Sequence, residues 1–303
     1  MYRGTYMIHE KIGIKMPGSE EYAALYTYIQ DYSERIGIEK RPIIVICPGG
    51  AYDHTSDREA EPLALSFNAM GYHAAVLRYS TGPSEFPIAL SELAEAVRLI
   101  RKNADKWHID KDRIIVQGSS AGGHLAACIG TFWNMDFLSE ILAKNEGLGE
   151  GSKEEIKESI RPNGLILNYP VISAETFAHA GSARSITGEL ENADAFTGEK
   201  GIPIKEFLSL EKRITKDMPP CFIWHTFEDQ AVPVENSLML ATALKKAGIN
   251  TELHIYAHGC HGTGLGNGLT AANEGKEVIP EVQSWPNLCR VWLERNYPIT
   301  YKY

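Results

Sequence analysis

The chain has 303 residues, 44% hydrophobic and 23% charged, an ordinary balance for a folded protein and enough chain for one large core. A net charge of −9 without clustered Lys and Arg argues against a general nucleic-acid binder, because phosphate recognition needs concentrated positive charge. No apolar run reaches membrane-span length, and the opening MYRGTYMIHEKIGIKM lacks the apolar centre of a signal peptide, so the expectation is a cytoplasmic protein without membrane contact.

Neither a Pro- or Ser-rich linker nor a fixed repeat interrupts the sequence, so a single α/β domain over 1–303 is expected, with polar surface insertions at 144–157 and 181–201. Residues 22–32 are expected to supply an antiparallel pair of edge strands. From residue 41 onward, β-rich apolar runs at 43–47, 73–78, 113–117, 164–167, 221–225 and 252–256 alternate with helical patterns. That alternation predicts a mostly parallel central sheet with helices on both faces. In 88–102, Leu90, Leu93, Val97 and Ile100 recur at helical spacing, leaving Glu92, Glu95, Arg98 and Arg101 for water. The segment 121–132 is small and apolar all round, which predicts a buried helix, and 282–294 reads as an amphipathic one. The 168–214 stretch exceeds a simple crossover and predicts a small cap insertion around 170–214. Its Tyr169, Phe177, Phe196 and Phe207 are either acyl contacts or packing beneath the cap. The five cysteines lack paired spacing and read as buried free thiols.

Ligands of open α/β sheets bind beyond the carboxyl ends of the strands, and four such places carry unusual residues. Gly118-Ser119-Ser120-Ala121-Gly122 fits G-x-S-x-G after a strand and before a helix, and only Ser120 has glycine at both flanking offsets. A serine there is a candidate nucleophile at a helix N-terminus; a capped glycine turn is the plainer alternative. The Pro48-Gly49-Gly50-Ala51 turn can aim backbone amides at a developing oxyanion, with Gly50 and Ala51 joined by Ala121 as donors. Asp229, with Glu228 as rival, follows the 221–225 strand and can orient a histidine. His261 lies in a glycine-rich loop after the last strand and can act as general base. His254, His258 and His261 together lack the spacing of a zinc site, so no metal is expected. The order Ser120, Asp229, His261 is the chain order of one hydrolase fold among those that use a serine triad.

On PGGAYDHTSDREAEPLA (48–64), VLRYS (76–80), GSSAGGHLAA (118–127), NYPVIS (168–173), PPCFIWHTFEDQAVPVENS (219–237) and ELHIYAHGCHGTGLG (252–266), the sequence resembles esterases of the α/β-hydrolase superfamily. It is similar in particular to the bacterial acetyl esterase, xylan esterase and bifunctional feruloyl esterase group. The resemblance implies Ser120 as nucleophile, Asp229 as orienting acid and His261 as base, with no cofactor. It departs from relatives whose oxyanion loop reads His-Gly-Gly-Gly. The Ser56-Asp57-Arg58-Glu59 run shares the resemblance and reads as a helix start held by a local ion pair, with substrate contact as the alternative. The expected activity is hydrolysis of a short acyl ester on a small molecule, an acetylated sugar or xylo-oligosaccharide. Another acyl bond (feruloyl ester, lactone, aryl-formamide or peptide) and a non-catalytic binding protein on the same fold are the alternatives, and homo-oligomerisation is left open.

Overall fold

The computed structural model describes residues 6–32, 34–272 and 275–301. Its sheet has eight strands: β1 Lys11–Gly13, β2 Ala24–Tyr28, β3 Arg41–Cys47, β4 His73–Arg78, β5 Ile109–Ser119, β6 Gly164–Asn168, β7 Cys221–Thr226 and β8 Thr251–Tyr256. They lie in the order β1-β2-β4-β3-β5-β6-β7-β8, with β1 and β2 antiparallel to their neighbours and β3 through β8 parallel. The helices are α1 Glu61–Ala69, α2 Ile88–Lys102, α3 Ala121–Phe132, α4 Asp136–Glu146, α5 Lys153–Ile160, α6 Ala180–Thr187, α7 Asp194–Thr197, α8 Ile204–Phe207, α9 Glu235–Ala247 and α10 Trp285–Asn296.

Alternation along each strand builds two cores, because successive side chains leave opposite faces of a pleated sheet. Ile43, Val45, Ile114, Val116, Leu165 and Ile223 join one core with the apolar sides of α2, α3 and α9. Ile44, Ile46, Ile115, Ile166, Phe222 and Trp224 join the other with α1 and α10. Helices therefore cover both faces, as the sequence pattern predicts. All of α3 is buried, also as expected.

Four details differ from the sequence expectations. The 22–32 segment gives one strand, β2, whose edge partner is β1 rather than a second strand of its own. On α2, Glu92 and Arg98 are buried, not solvated, because Glu92 lies against the segment that follows β4 and Arg98 against α4. Glu92 accepts from the Ser80 amide at 2.7 Å and from the Ser80 hydroxyl, and burial pushes its carboxyl up. Arg98 pairs with Glu146 on α4. Four cysteines are buried, but Cys260 is exposed.

The chain runs from β3 outward to β4 and then returns to β5 on the opposite side of β3. This is a topological switch point, and the crevice beyond the carboxyl ends of β3 and β5 is where such a sheet receives a ligand.

Candidate active site

Strand β5 ends at Ser119 and α3 begins at Ala121, so Ser120 alone makes the turn between them. Its φ of 55° and ψ of −120° lie outside the regions a side-chain-bearing residue favours, a strain that persists only where the surroundings impose it. Sterics explain the flanking glycines. A Cβ on Gly118 would overlap the Gly122 carbonyl, and one on Gly122 would overlap the Cys47 and Pro48 carbonyls of the neighbouring loop. Ser119 is buried and its hydroxyl accepts from Gln117 Nε2 at 3.0 Å, which removes it as a rival to Ser120.

The Ser120 hydroxyl lies 2.7 Å from His261 Nε2, and His261 Nδ1 lies 2.6 Å from Asp229 Oδ2. The three residues from three separate strand ends thus form one hydrogen-bonded line. Asp229 Oδ1 accepts the amides of Ala231 (3.0 Å) and Val232 (2.9 Å), fixing the carboxylate plane. Burial pushes the Asp229 carboxyl up, but hydrogen bonds from His225 and His261, with the His261 charge and the Val232 amide, outweigh it and hold the group below the usual carboxylate range. The rival, Glu228, is exposed and pairs with His258 at 2.9 Å, away from His261.

His225, at the end of β7, escapes the sequence reading. Its Nε2 lies 3.2 Å from Asp229 Oδ2 and 2.9 Å from the Val232 carbonyl, while Nδ1 faces the Ser237 hydroxyl at 2.8 Å. A proton on Nε2 serves both acceptors, so His225 braces Asp229.

After β3 the chain enters Gly50, Ala51 and Tyr52 with φ of 129°, 58° and 61°. Consecutive positive φ values turn neighbouring amides toward one side, the arrangement that cradles an anion. Gly50 and Ala51 give their amides to no acceptor among the described residues. The strained run is held from below by Tyr52, which is 2% exposed and donates to His124 Nδ1 at 3.0 Å. His124 Nε2 in turn lies 3.0 Å from the Leu208 carbonyl, and burial pushes that imidazole down to about 4, so it stays neutral. Ala121 supplies the amide at the start of α3, where the helix dipole adds to it.

The expected local ion pair in Ser56–Glu59 is absent. Asp57 pairs with Arg78, and Arg58 donates to the Thr270 carbonyl at 3.0 Å and pairs with Glu277 at 3.5 Å. Glu59 is 3% exposed and instead accepts the Gly49 amide at 2.8 Å and the Tyr169 hydroxyl at 2.6 Å. The same hydroxyl accepts the Gly264 amide at 3.1 Å, three residues past His261. One buried carboxylate thereby ties the Gly49–Gly50 turn to the loop that carries His261. Sequence alone hides this, because the partners lie far apart in the chain.

Of the four aromatics considered as acyl contacts, Tyr169 is buried and meets His261 edge to face, with ring centroids 5.1 Å apart. Phe196 and Phe207 pack into a cluster with Phe86, Phe132 and Phe137. Phe177 is exposed. His254 pairs with Glu252 and His258 with Glu228, and no group of three metal-type ligands occurs among the described residues.

The family described as BD-FAE matches residues 32–244. Endo-1,4-beta-xylanase B of Butyrivibrio fibrisolvens is 34% identical over 78% of this chain and 33% of its own length. The acetylxylan esterase of Xylanibacter ruminicola is 28% identical over 74% of this chain and 41% of its own. The chain thus spans well under half the length of these two curated relatives. The crystal structure of the acetyl ester-xyloside bifunctional hydrolase from Caldicellulosiruptor lactoaceticus superposes with a TM-score of 0.76 at 35% identity, covering 96% of this chain and 97% of that one.

Proposed function

The chain belongs to the BD-FAE family and has the α/β-hydrolase fold, and from that premise we propose that it is a serine esterase hydrolysing short acyl esters on xylan-related saccharides. The observation that carries this reading is the line from Ser120 through His261 to Asp229, at 2.7 and 2.6 Å. In it, His261 Nε2 takes the Ser120 proton as Oγ attacks the ester carbonyl. Asp229 holds the ring and stabilises the imidazolium. The amides of Gly50, Ala51 and Ala121 receive the oxyanion, His261 returns the proton to the departing alcohol, and water then releases the acid by the reverse sequence. Every step uses a protein group, so the mechanism calls for no cofactor.

Segment 170–214 is read as a cap within a single domain. Ser185 on α6 donates to Asp53 beside the oxyanion turn at 2.8 Å, and burial, then the nearby His261, push the His179 imidazole down. No helix among the described residues is long and apolar enough to cross a membrane. A cytoplasmic role on saccharides already cut short completes the proposal; five unpaired cysteines fit a reducing compartment.

The test is hydrolysis of p-nitrophenyl acetate and acetylated xylo-oligosaccharides by the parent and by Ser120→Ala, with feruloyl esters for comparison. The variant is expected to lose about 10⁶ in turnover. An unchanged rate in Ser120→Ala would remove the assignment.

A further inference from the structure

The geometry points to a second, separate binding region: a groove of about 830 Å³ between β2, the start of α1 and the 53–57 loop, which we assign to the uncharged saccharide chain that carries the ester. This rests on the esterase reading and says where the rest of that substrate lies. The volume is within the 300–1,000 Å³ typical of ligand sites, about the scale of several linked sugars.

The groove follows from the topology. Strands β1 and β2 extend the sheet past β4, beyond the ground that α1 covers with Leu63, Ala64 and Phe67. Tyr26 lies opposite Val76, and Ala24 opposite Arg78, so Tyr26, Tyr28, Val76 and Arg78 share the uncovered face. Small Val76 and Ala60, both buried, form its floor. One end lies next to the Gly50–Ala51 turn: Asp53 and His54, which line the groove, both give their amides to the Gly50 carbonyl. A chain seated in the groove therefore lies beside the turn whose amides are proposed to receive the oxyanion.

The lining suits sugar rather than anion or lipid. Tyr22, in the turn before β2, is 45% exposed with its hydroxyl fixed by Thr81 at 2.9 Å, and Tyr26 on β2 also lines the groove, with the Lys11 ammonium 5.7 Å over its ring; such rings offer flat apolar faces to the CH face of a pyranose. Around them stand Lys11 and Arg78 against Asp53, Asp57 and Glu61. Arg78 is held by Thr55 and Asp57, so it is a fixed donor. Burial, then Glu61, push the Tyr28 hydroxyl up to about 12, so it keeps its proton, which it donates to Glu61 at 3.4 Å, leaving its oxygen as an acceptor. Carboxylates outnumber cations, which disfavours an anionic ligand, while mixed donors and acceptors match a hydroxyl-rich neutral one.

Two measurements decide the assignment. Calorimetric titration of Ser120→Ala with unacetylated xylotetraose is expected to show binding that Tyr26→Ala, added to it, weakens about tenfold, as loss of an aromatic anchor commonly does. In the otherwise unaltered enzyme, Tyr26→Ala and the fully surface substitution Lys11→Ala are expected to lower kcat/KM on acetylated xylotetraose while leaving p-nitrophenyl acetate hydrolysis unchanged. Equal losses on both substrates, or no change on either in both variants, would overturn the groove. Absence of p-nitrophenyl acetate hydrolysis in the parent would instead overturn the esterase reading, and the titration reports on the groove independently of it.

Discussion

The two loops that meet at the Ser120–His261 hydrogen bond are built in different ways. The turn at Ser120 is a single residue between β5 and α3, set by close backbone packing: a side chain at Gly118 would meet the Gly122 carbonyl, and one at Gly122 the Cys47 and Pro48 carbonyls. The loop 257–281 has no helix or strand among its described residues and is held by distant groups. Gly264 donates to Tyr169 and accepts from Trp285 Nε1 at 2.9 Å, Thr270 bonds to Thr263 and Leu265, and Arg58 reaches the Thr270 carbonyl. Ser120 is thus fixed by backbone packing, whereas His261, at the end of a long loop, is placed by side chains from across the fold.

The largest expected effect separates the two acidic candidates of the β7 loop. Asp229→Asn should lower kcat by about 10⁴, since an amide cannot hold the productive His261 tautomer. Glu228→Gln, altering an exposed pair, should leave turnover unchanged; steady-state kinetics with p-nitrophenyl acetate compares them. If Glu228→Gln were the damaging change, the assignment of the acid would be reversed.

At the turn itself, Gly122→Ala should cost about 3 kcal/mol or more of stability, because the added methyl meets carbonyl groups that cannot move aside. Thermal denaturation reads this, and a Tm equal to the parent's would contradict the steric account.

Tyr169→Phe tests the other kind of construction. It removes one hydroxyl that serves both Glu59 and Gly264, so it should destabilise by about 1–3 kcal/mol while the serine turn stays intact. It should also lower kcat more than it raises KM, as expected when the base is displaced without loss of substrate contacts. A change in KM alone would place Tyr169 in substrate binding.

The smallest effect is on acid stability. The Asp229 carboxyl is held below its unfolded value, so its contribution is present above the unfolded pKa of about 3.9 and is lost as pH falls through the lower folded value. Denaturant titrations below pH 4 should therefore show a weaker acid dependence in Asp229→Asn than in the parent.

The same contrast explains what was legible in the sequence. Strand positions and two-sided burial follow from continuous β-rich apolar runs between helical patterns, and the choice of Ser120, Asp229 and His261 from glycine spacing and chain order. Glu92, Glu59 and His225 were not legible, because a carboxylate or imidazole in a polar-looking position is buried only when elements distant in sequence close over it. For Glu92 that element is the Ser80 segment after β4; for Glu59 they are Tyr169 and the Gly49 turn. Ala51 and Tyr52 likewise carry positive φ that no sequence rule assigns to a tyrosine, and the Tyr52–His124 hydrogen bond within the core is what holds them.

The account stands most directly on the identity of the nucleophile, which a fluorophosphonate probe reads by covalent labelling followed by peptide mass analysis. A single adduct on Ser120, absent in Ser120→Ala and strongly slowed in His261→Ala, is the predicted result. An adduct on Ser119 or elsewhere, or labelling of the native protein that proceeds equally fast without His261, would contradict it.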